Sequence, residues 1–322
     1  MPCAEGITPP ARAPLLSRPA DGFVLVAVLW LLALLTVVTL VLLTSVRLNV
    51  RAAGQLAQHA EAEALADGLT RLIALRLGNR FRRPLAPDTI TTDGNPYTCS
   101  HAEALVEMTV TDVGGLVDLN MASVRLLEWL LLGLGLAADK AATVAAAIVD
   151  FRDEDDTPSP NGAEAAAYQA AGLQHGPKNA PFETVTELDQ VLGIDLPLLA
   201  RLRSITTVHS GQPGIDPTKA PPEVLAVAAA AAEAAAIPAP LNARTRIPSE
   251  FRGASRGRAF RVTVRVELPR GGRFGREAIV EPVRTAPLGF RLREWTTPAP
   301  AATVGDRPSP NPAPCLAAVL KI

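Results

Sequence analysis

An uninterrupted apolar run near the N-terminus most constrains what this chain can fold into. Phe23 to Val46 are 24 residues without a charged side chain. A helix of this length spans roughly 36 Å, more than the ~30 Å hydrocarbon core of a bilayer. A secretory signal peptide has an apolar core of only ~7–15 residues and ends at a small-residue cleavage site, whereas this run ends at Arg47. The sequence therefore predicts a retained transmembrane helix at 23–46.

The predicted helix continues beyond the membrane. No proline occurs from Arg47 to Arg83, and leucines recur along one face of the helix. These leucines are Leu56, Leu65, Leu69, Leu72 and Leu75. We therefore expect one helix from Phe23 to about Phe81, in which 47–83 continues outside the membrane.

Short strands at both ends of the remaining chain enclose a helical middle. A loop rich in proline, threonine and glycine is expected at 84–100, followed by strands at 104–111 and 116–119. Helices are expected from Asn120 as N-cap, at 138–152, 163–171, 182–191, 196–202 and 221–236, with a short strand at 206–209. The final strands are expected at 260–268, 276–283 and 288–295, with a hairpin turn at 269–272. A proline-rich tail without regular structure is expected at 296–322.

Charge is segregated between the middle and the C-terminal part of the chain. Residues 101–210 carry 16 acidic and 6 basic side chains, whereas 241–295 carry 13 arginines and 5 glutamates. The four histidines are scattered, and no Ser/His/Asp, HExxH, phosphate-loop or GxSxG pattern occurs. The sequence therefore indicates a structural component rather than an enzyme.

The densest polar cluster lies between two predicted helices. Asp150, Asp153, Glu154, Asp155 and Asp156 fall within seven residues, and Glu164 follows shortly after them. Close carboxylates repel one another unless water or a cation screens them, and Ca²⁺ binds six to eight oxygens. The EF-hand spacing is absent, so composition by itself favours a solvated acidic loop.

The three cysteines, Cys3, Cys99 and Cys315, form no close pair. Zinc binding and thioredoxin-type chemistry are therefore disfavoured. Spacing leaves open whether Cys99 and Cys315 form a disulfide or stay as free thiols.

The stretch from Asp118 through Gly133-Leu134-Gly135 to Arg152 resembles a helix-hairpin-helix module, which binds DNA phosphates without reading sequence. This makes a membrane-anchored DNA-uptake receptor the alternative function. The acidic character of the block and the four residues between Gly135 and Lys140 oppose that alternative. No nucleic-acid partner is therefore expected.

Taken in order, the motifs resemble the minor pseudopilin K family of type II secretion (general secretion pathway protein K) from about residue 18 to 295. A glycine followed by an aromatic residue at the head of the apolar run, Gly22-Phe23, resembles the cleavage site for a prepilin peptidase. The other matching segments are VGGLVDLNMAS at 113–123, AAAIVDFRDEDD at 145–156, NGAE at 161–164, AAGLQHGPKNAPFETVTELDQVLGI at 170–194 and TVHSGQPGIDPTKAPPEVLA at 207–226.

This resemblance implies a pilin-like α+β fold, in which a long N-terminal transmembrane helix lies on a small antiparallel sheet. It also implies a large inserted all-α domain of helix-hairpin-helix/SAM-like type. The expected division is a leader at 1–22, the transmembrane helix and its continuation, the pilin-like domain at 84–118 and 206–295, and the inserted domain at 119–205.

The family implies calcium in the helical domain, and Asp153, Asp155, Asp156 and Glu164 occupy the matching loop. The chain departs from the family at 165–168, where Ala-Ala-Ala-Tyr replaces further acidic residues, which puts a second ion in doubt. The implied setting is the inner membrane of a Gram-negative bacterium, with the body in the periplasm. The implied partners are the other minor pseudopilins of the tip complex, prepilin peptidase and a secreted cargo protein.

The fifth residue after the predicted cut is Ala27. Most pilin-like helices carry a glutamate there, which pairs with the free N-terminal amine of a neighbour. Since a carboxylate without a partner is costly in lipid, a subunit with no neighbour above it does not need this glutamate. Ala27 therefore suits a position at the tip of the filament.

Overall fold

The computed structural model describes residues 21–79, 91–234 and 243–298, together with Cys315 and Val319. The leader up to residue 20, the predicted helix end at 80–83 and most of the predicted tail lie outside the described residues. The chain divides into two compact units, 1–57 and 58–322, which are treated separately below.

Helix α1 runs from Asp21 to Asn79 without interruption, which confirms the predicted long helix. In the first unit its apolar side chains are exposed, and the segment is long and apolar enough to cross a membrane. The hydroxyl groups of Thr36, Thr39, Thr44 and Ser45 donate to carbonyls three or four residues earlier. Every described hydroxyl of this segment thus has an acceptor within its own helix, as a lipid environment requires.

The second unit contains a five-stranded antiparallel sheet. Its strands are β1 (Tyr97–His101), β2 (Ala104–Asp112), β5 (Phe260–Glu267), β6 (Arg273–Pro282) and β7 (Phe290–Thr296), in the spatial order β1-β2-β5-β6-β7. Alternate residues of these strands face α1 and form a core with its buried side chains, including Ala66, Ile73 and Leu77. The antiparallel sheet and the long apolar helix confirm the α+β prediction.

The chain between β2 and β5 forms a mostly helical region. It contains β3 (Val117–Asp118), α2 (Val124–Gly133), α3 (Ala138–Arg152), α4 (Ala165–Ala170), α5 (Leu196–Ile205), β4 (Thr206–Thr207) and α6 (Pro222–Ala234), with 3₁₀ turns at Val113–Gly115, Val185–Gln190, Ala243–Arg246 and Ser249–Phe251. β3 and β4 pair in parallel. A second core, separate from the α1–sheet core, gathers Leu127, Leu130, Ile148, Phe151 and Tyr168 from these helices.

Three local predictions are wrong. The predicted loop at 84–100 contains strand β1, because Tyr97 to His101 pair with β2. Asn120 is not a helix cap: its side chain exchanges two hydrogen bonds with the backbone of Phe182, at 2.9 and 2.8 Å. Ser123 caps α2 instead, accepting from Leu126 N. The helix expected at 182–191 is reduced to a 3₁₀ turn.

The C-terminal end of the chain returns to the first strand of the sheet. Cys315 forms a disulfide with Cys99 of β1, and both residues are fully buried. Val319 is also fully buried in the α1–sheet core. The prediction of a structureless tail is therefore wrong for these two C-terminal positions.

Candidate functional site

The acidic loop after α3 folds back over a buried carboxylate. Asp150, in the last turns of α3, is fully buried. Its oxygens accept hydrogen bonds from Ser159 N at 3.3 and 3.2 Å. Gly162 packs so closely that a Cβ there would overlap Asp150 Oδ2. The loop therefore requires glycine at 162 because the Asp150 side chain fills the space.

Glu164 is the most confined acid of the loop. It precedes α4, is only 6% exposed, and neither carboxylate oxygen has a hydrogen-bond partner among the described residues. Burial raises the pKa of Glu164, and the charges of Asp150, Asp153, Asp156 and Asp155 raise it further. A carboxylate in this position lacks a positive or hydrogen-bonding counterpart at neutral pH.

Asp153 shares this environment. Its Oδ1 atom is buried and has no hydrogen-bond partner in the described part of the chain. Burial raises the pKa of Asp153, as do the charges of Asp150 and Asp155, while Arg152 opposes the shift. The guanidinium of Arg152 is directed elsewhere, since it donates to the backbone carbonyls of Leu119 and Ala122.

The other two predicted ligands have different contacts. Asp155 Oδ1 accepts from Thr157 N at 2.8 Å, and Asp156 Oδ1 accepts from Asn179 Nδ2 at 2.8 Å. Both residues are exposed. The four predicted ligands therefore separate into a confined pair, Asp153 and Glu164, and a solvated pair that is already hydrogen-bonded.

Sequence reasoning missed one residue of this site and gave another too little weight. Asn179, in a left-handed backbone conformation with φ of 49°, joins the loop through its amide nitrogen, while its Oδ1 is buried without a partner in the described structure. The signal for Asn179 was the segment PKNAPF, because asparagine tolerates this conformation. Asp150, on helix α3, is not among the four predicted ligands, yet its carboxylate is directed at the loop.

The donor chemistry fits a hard cation such as Ca²⁺. Four buried oxygens, from Asp153, Glu164 and Asn179, lack hydrogen-bond donors, and oxygen atoms of this kind are the ligands that Ca²⁺ prefers. In the described ranges, however, no three His, Cys, Asp or Glu side chains are placed to hold one ion. The amide oxygen of Asn179 and loop carbonyls are further oxygen donors of the kind that Ca²⁺ accepts.

Packing between helices explains the glycine that begins the predicted hairpin, Gly133. Gly133 packs against the backbone of Val227 in α6, where a Cβ would overlap the carbonyl oxygen. Helix α3 begins after Ala137 with Asp139 in its first turn. A carboxylate at a helix N-terminus competes with a phosphate for the same positive end of the dipole. This hairpin is therefore poorly suited to DNA phosphates.

Two of the family-like segments meet at a buried junction. Asp118, 1% exposed, accepts hydrogen bonds from Ser210 Oγ at 2.9 Å, Gly211 N at 2.7 Å and Asn120 N at 2.9 Å. The DLN and HSG motifs thus fasten the entry of the helical region to its exit.

The predicted cleavage site lies at the start of α1. The helix begins at Asp21, so the Gly22–Phe23 bond falls in its first turn, and Phe23 is 79% exposed. Nothing in the structure tests the cleavage itself.

Comparisons with known proteins show what this part of the chain is similar to. Residues 105–211 match the family model described as Type II secretion system (T2SS), protein K. Type II secretion system protein K of Pectobacterium carotovorum subsp. carotovorum is 40% identical over 73 residues, which is 23% of this chain and 22% of that protein.

The fold has a counterpart among solved structures. The crystal structure of the GspK-GspI-GspJ complex from the enterotoxigenic Escherichia coli Type 2 Secretion System contains a chain that matches with a TM-score of 0.50 at 17% identity. The match covers 79% of this chain and 99% of that chain. At this identity the likeness concerns the fold alone. The comparisons confirm the sequence-based resemblance and give no support to a DNA-uptake receptor.

Proposed function

We propose that this protein is a minor pseudopilin at the tip of the type II secretion pseudopilus. There it helps to initiate pseudopilus assembly and the export of folded proteins across the outer membrane. The observation that carries the proposal is the match of residues 105–211 to the family model for protein K. In the same chain, the apolar helix α1 continues without interruption to Asn79. The role of the protein is structural, without catalysis.

The start of α1 supports processing and a tip position. In the proposed sequence of events, prepilin peptidase cuts between Gly22 and Phe23, and the new N-terminal Phe23 is methylated. Ala27 then stands five residues into the mature helix, where a glutamate would need a neighbour's amine to neutralise it in lipid. A subunit with Ala27 is complete without a neighbour above it.

The proposed location is the inner membrane, with the body in the periplasm. Arg12 and Arg18 in the leader favour a cytoplasmic N-terminus. The Cys99–Cys315 disulfide supports an oxidising compartment for the body, because such bonds are rare in the cytosol. The helical region between β3 and β4 is, on this proposal, the inserted domain of SAM-like type.

We further propose that the acidic loop binds one Ca²⁺ ion. Asp153 and Glu164 would contribute the confined carboxylates, and Asp155 and Asp156 the charge at the rim. The bound ion would neutralise carboxylates that otherwise repel one another and would hold the loop on the helical core. The orphaned oxygens described above support this proposal.

The proposed partners are the other minor pseudopilins of the tip complex, and the secreted cargo at the exposed end. The solved relative of similar fold comes from a GspK-GspI-GspJ complex, which supports pseudopilins as partners.

A complementation experiment tests the proposed function. A strain lacking this gene is supplied with the wild type, Gly22→Glu, or Gly6→Glu as the same substitution elsewhere in the leader. We expect wild type and Gly6→Glu to restore extracellular enzymes and to show a membrane-bound form lacking the leader by mass spectrometry. Gly22→Glu should keep its leader and fail to restore secretion, since the peptidase needs a small residue at the cut. Normal secretion in the deletion strain would contradict the proposal.

A further inference from the structure

The two edge strands of the five-stranded sheet, β1 and β7, differ in what covers them in the described structure. At the β1 edge, Cys315 and Val319 are buried against the sheet, and the disulfide to Cys99 holds them there. At the other end of the strand order, β7 pairs with β6 and has no further strand beside it in the described structure. Within the described residues, therefore, the β1 edge of this core is covered by the C-terminal end of the chain, and the β7 edge is not.

Exposed apolar side chains gather on the open edge. Leu75 of α1, Leu288 before β7 and Leu292 on β7 are 37%, 61% and 41% exposed. They make up three of the six exposed large apolar residues within the described part of 58–322. This surface, formed by Leu75, Leu288 and Leu292, is called the β7 flank below.

Contacts along α1 show that these leucines belong to one surface. Arg71 lies over the Trp295 ring of β7, at 5.2 Å from its centroid, and Gly78 meets the backbone of Gly289. Leu75 lies between Arg71 and Gly78 on α1. Leu292 lies between the residues that these two contact, Trp295 and Gly289. Leu292 is paired with Val280, which faces α1, so Leu292 points to the same side of the sheet. The β7 flank therefore continues the buried α1–sheet core to the surface.

One positive charge of the β7 flank has no counterion in the described structure. Glu281 accepts from Arg293 at 2.6 Å, and Glu294 is bonded to His209 at 2.7 Å. Arg291 of β7 is exposed and forms no ion pair within the described residues. A partner should accordingly present an apolar segment with an acidic side chain facing Arg291.

We propose that the β7 flank is the surface on which a neighbouring minor pseudopilin packs, through an apolar segment with acidic residues beside it. The inference rests on the proposed function and adds to it the surface that is used. An anionic lipid surface would share the apolar and acidic character. As the last strand of the sheet in the described structure, β7 has an edge with which a protein backbone can pair, whereas lipid tails cannot hydrogen-bond such an edge. A protein partner is therefore favoured.

Crosslinking in cells tests the location. A photoreactive phenylalanine analogue replaces Leu288 in the full chain, which is expressed together with the other minor pseudopilins of the same secretion system. The matched control places it at Leu196, a 76% exposed leucine at the start of α5. We expect a crosslink to a minor pseudopilin from position 288 and none from 196. A crosslink from 288 to lipid or to a second copy of this chain would overturn the inference.

Co-purification from detergent tests the energetics. Leu292→Glu should reduce recovery of the partner pseudopilin about tenfold, because it places a carboxylate in an apolar contact, while Leu196→Glu leaves recovery unchanged. Arg291→Glu should weaken binding most at low salt, with Arg201→Glu of α5 as its control. Unchanged melting temperatures would show that the variants are folded. Partner recovery equal in both leucine variants would refute the docking surface and leave the proposed function standing, whereas no recovery even with wild type would overturn both.

Discussion

Glu164 is the acid of the loop whose charged form has the least favourable surroundings. Its two oxygens are buried without hydrogen-bond donors among the described residues, and four aspartates raise its pKa in addition to burial. Replacing this carboxylate by a neutral amide removes its repulsion with the neighbouring aspartates. A bound cation would offset the same repulsion while Glu164 stays ionised. The effects of the substitution and of calcium on stability can therefore be compared directly.

We expect Glu164→Gln to raise the melting temperature of the calcium-free body at neutral pH and to abolish its response to calcium. The wild type should melt roughly 5 °C higher in calcium at a hundredfold excess over the dissociation constant, since binding to the folded form alone contributes about 2.7 kcal/mol. Millimolar calcium is appropriate because extracytoplasmic sites bind at roughly 10⁻⁴–10⁻³ M. Thermal melts with calcium and with chelator measure both effects.

Glu154→Gln is the matched control, because Glu154 is an exposed acid of the same loop. It should leave the calcium response nearly unchanged. Wild-type melting temperatures that are identical in calcium and chelator would show that the loop is only a solvated acidic segment.

The same pair of acids sets a pH dependence of known sign. Asp153 and Glu164 have raised pKa values in the folded protein, so the folded state binds their protons more tightly than the unfolded chain does. Their contribution to the free energy of unfolding is fully present at pH values below their ordinary pKa values, 3.8 for Asp153 and 4.5 for Glu164. It is lost as the pH rises through the raised pKa values of the folded protein. Despite burial, hydrogen bonds lower the pKa values of Asp93, Glu187 and Asp216, which act in the opposite direction. The difference between wild type and Glu164→Gln in chelator isolates the effect of Glu164.

At the scale of elements, α1 is held on the sheet by an ion cluster around a buried arginine as well as by apolar packing. Arg276 of β6, only 8% exposed, donates to Asp67 at 2.6 Å and to Glu63 at 3.0 Å, and its guanidinium lies 4.8 Å from the Phe274 ring centroid. The buried guanidinium would be costly without a counterion, and Asp67, the less exposed of the two acids, supplies the closer one. The cluster therefore favours the rotation of α1 that turns Asp67 towards β6.

The disulfide closes the same layer at its other edge. We expect Cys315→Ser to lower the free energy of unfolding of the body by about 2–5 kcal/mol, because the bond joins residues 216 apart and restricts the unfolded chain. Cys3→Ser in the predicted leader should have no effect, and Cys99→Ser should match Cys315→Ser. Denaturant titration in the presence of calcium measures the change. A wild-type midpoint that does not move when the disulfide is reduced would contradict this expectation.

On the scale of the whole molecule, the two halves of the body carry opposite charge. The segment 101–210 has ten more acidic than basic side chains by the counts of 16 and 6, while 241–295 has eight more basic than acidic by the counts of 13 and 5. The hairpin that resembles a DNA-binding module lies in the acidic half. Repulsion between that half and DNA phosphates should dominate over the attraction of the lysine in the hairpin segment, Lys140.

We therefore expect residues 47–322 to show no binding to duplex DNA in fluorescence anisotropy at about 150 mM salt. Lys140→Ala should change nothing, and Lys178→Ala, in the same acidic half, serves as its control. Salt-sensitive binding that Lys140→Ala weakens and Lys178→Ala does not would instead support the DNA-uptake alternative.

The sequence alone was sufficient for features that depend on local periodicity. The uncharged run of 24 residues predicted the membrane helix, and helix α3 has the predicted bounds, Ala138–Arg152, because its alanines favour helix and the acidic, proline-containing loop ends it. The strands β2, β5, β6 and β7 were also expected from their β-branched residues and turns. The order of motifs led to the resemblance to protein K, which the family model supports over residues 105–211.

Tertiary structure decided the features that depend on residues distant in sequence. Strand β1 exists because β2 lies beside it, and Asn120 turns away from helix capping because Phe182, 62 residues later, accepts and donates its hydrogen bonds. In the same way, Asp153 Oδ1 and both Glu164 oxygens are buried without hydrogen-bond donors in the described structure, whereas Asp155 and Asp156 stay exposed. Composition could count these carboxylates, but burial is a property of the folded chain, and burial determines which of them lack a counterpart for their charge.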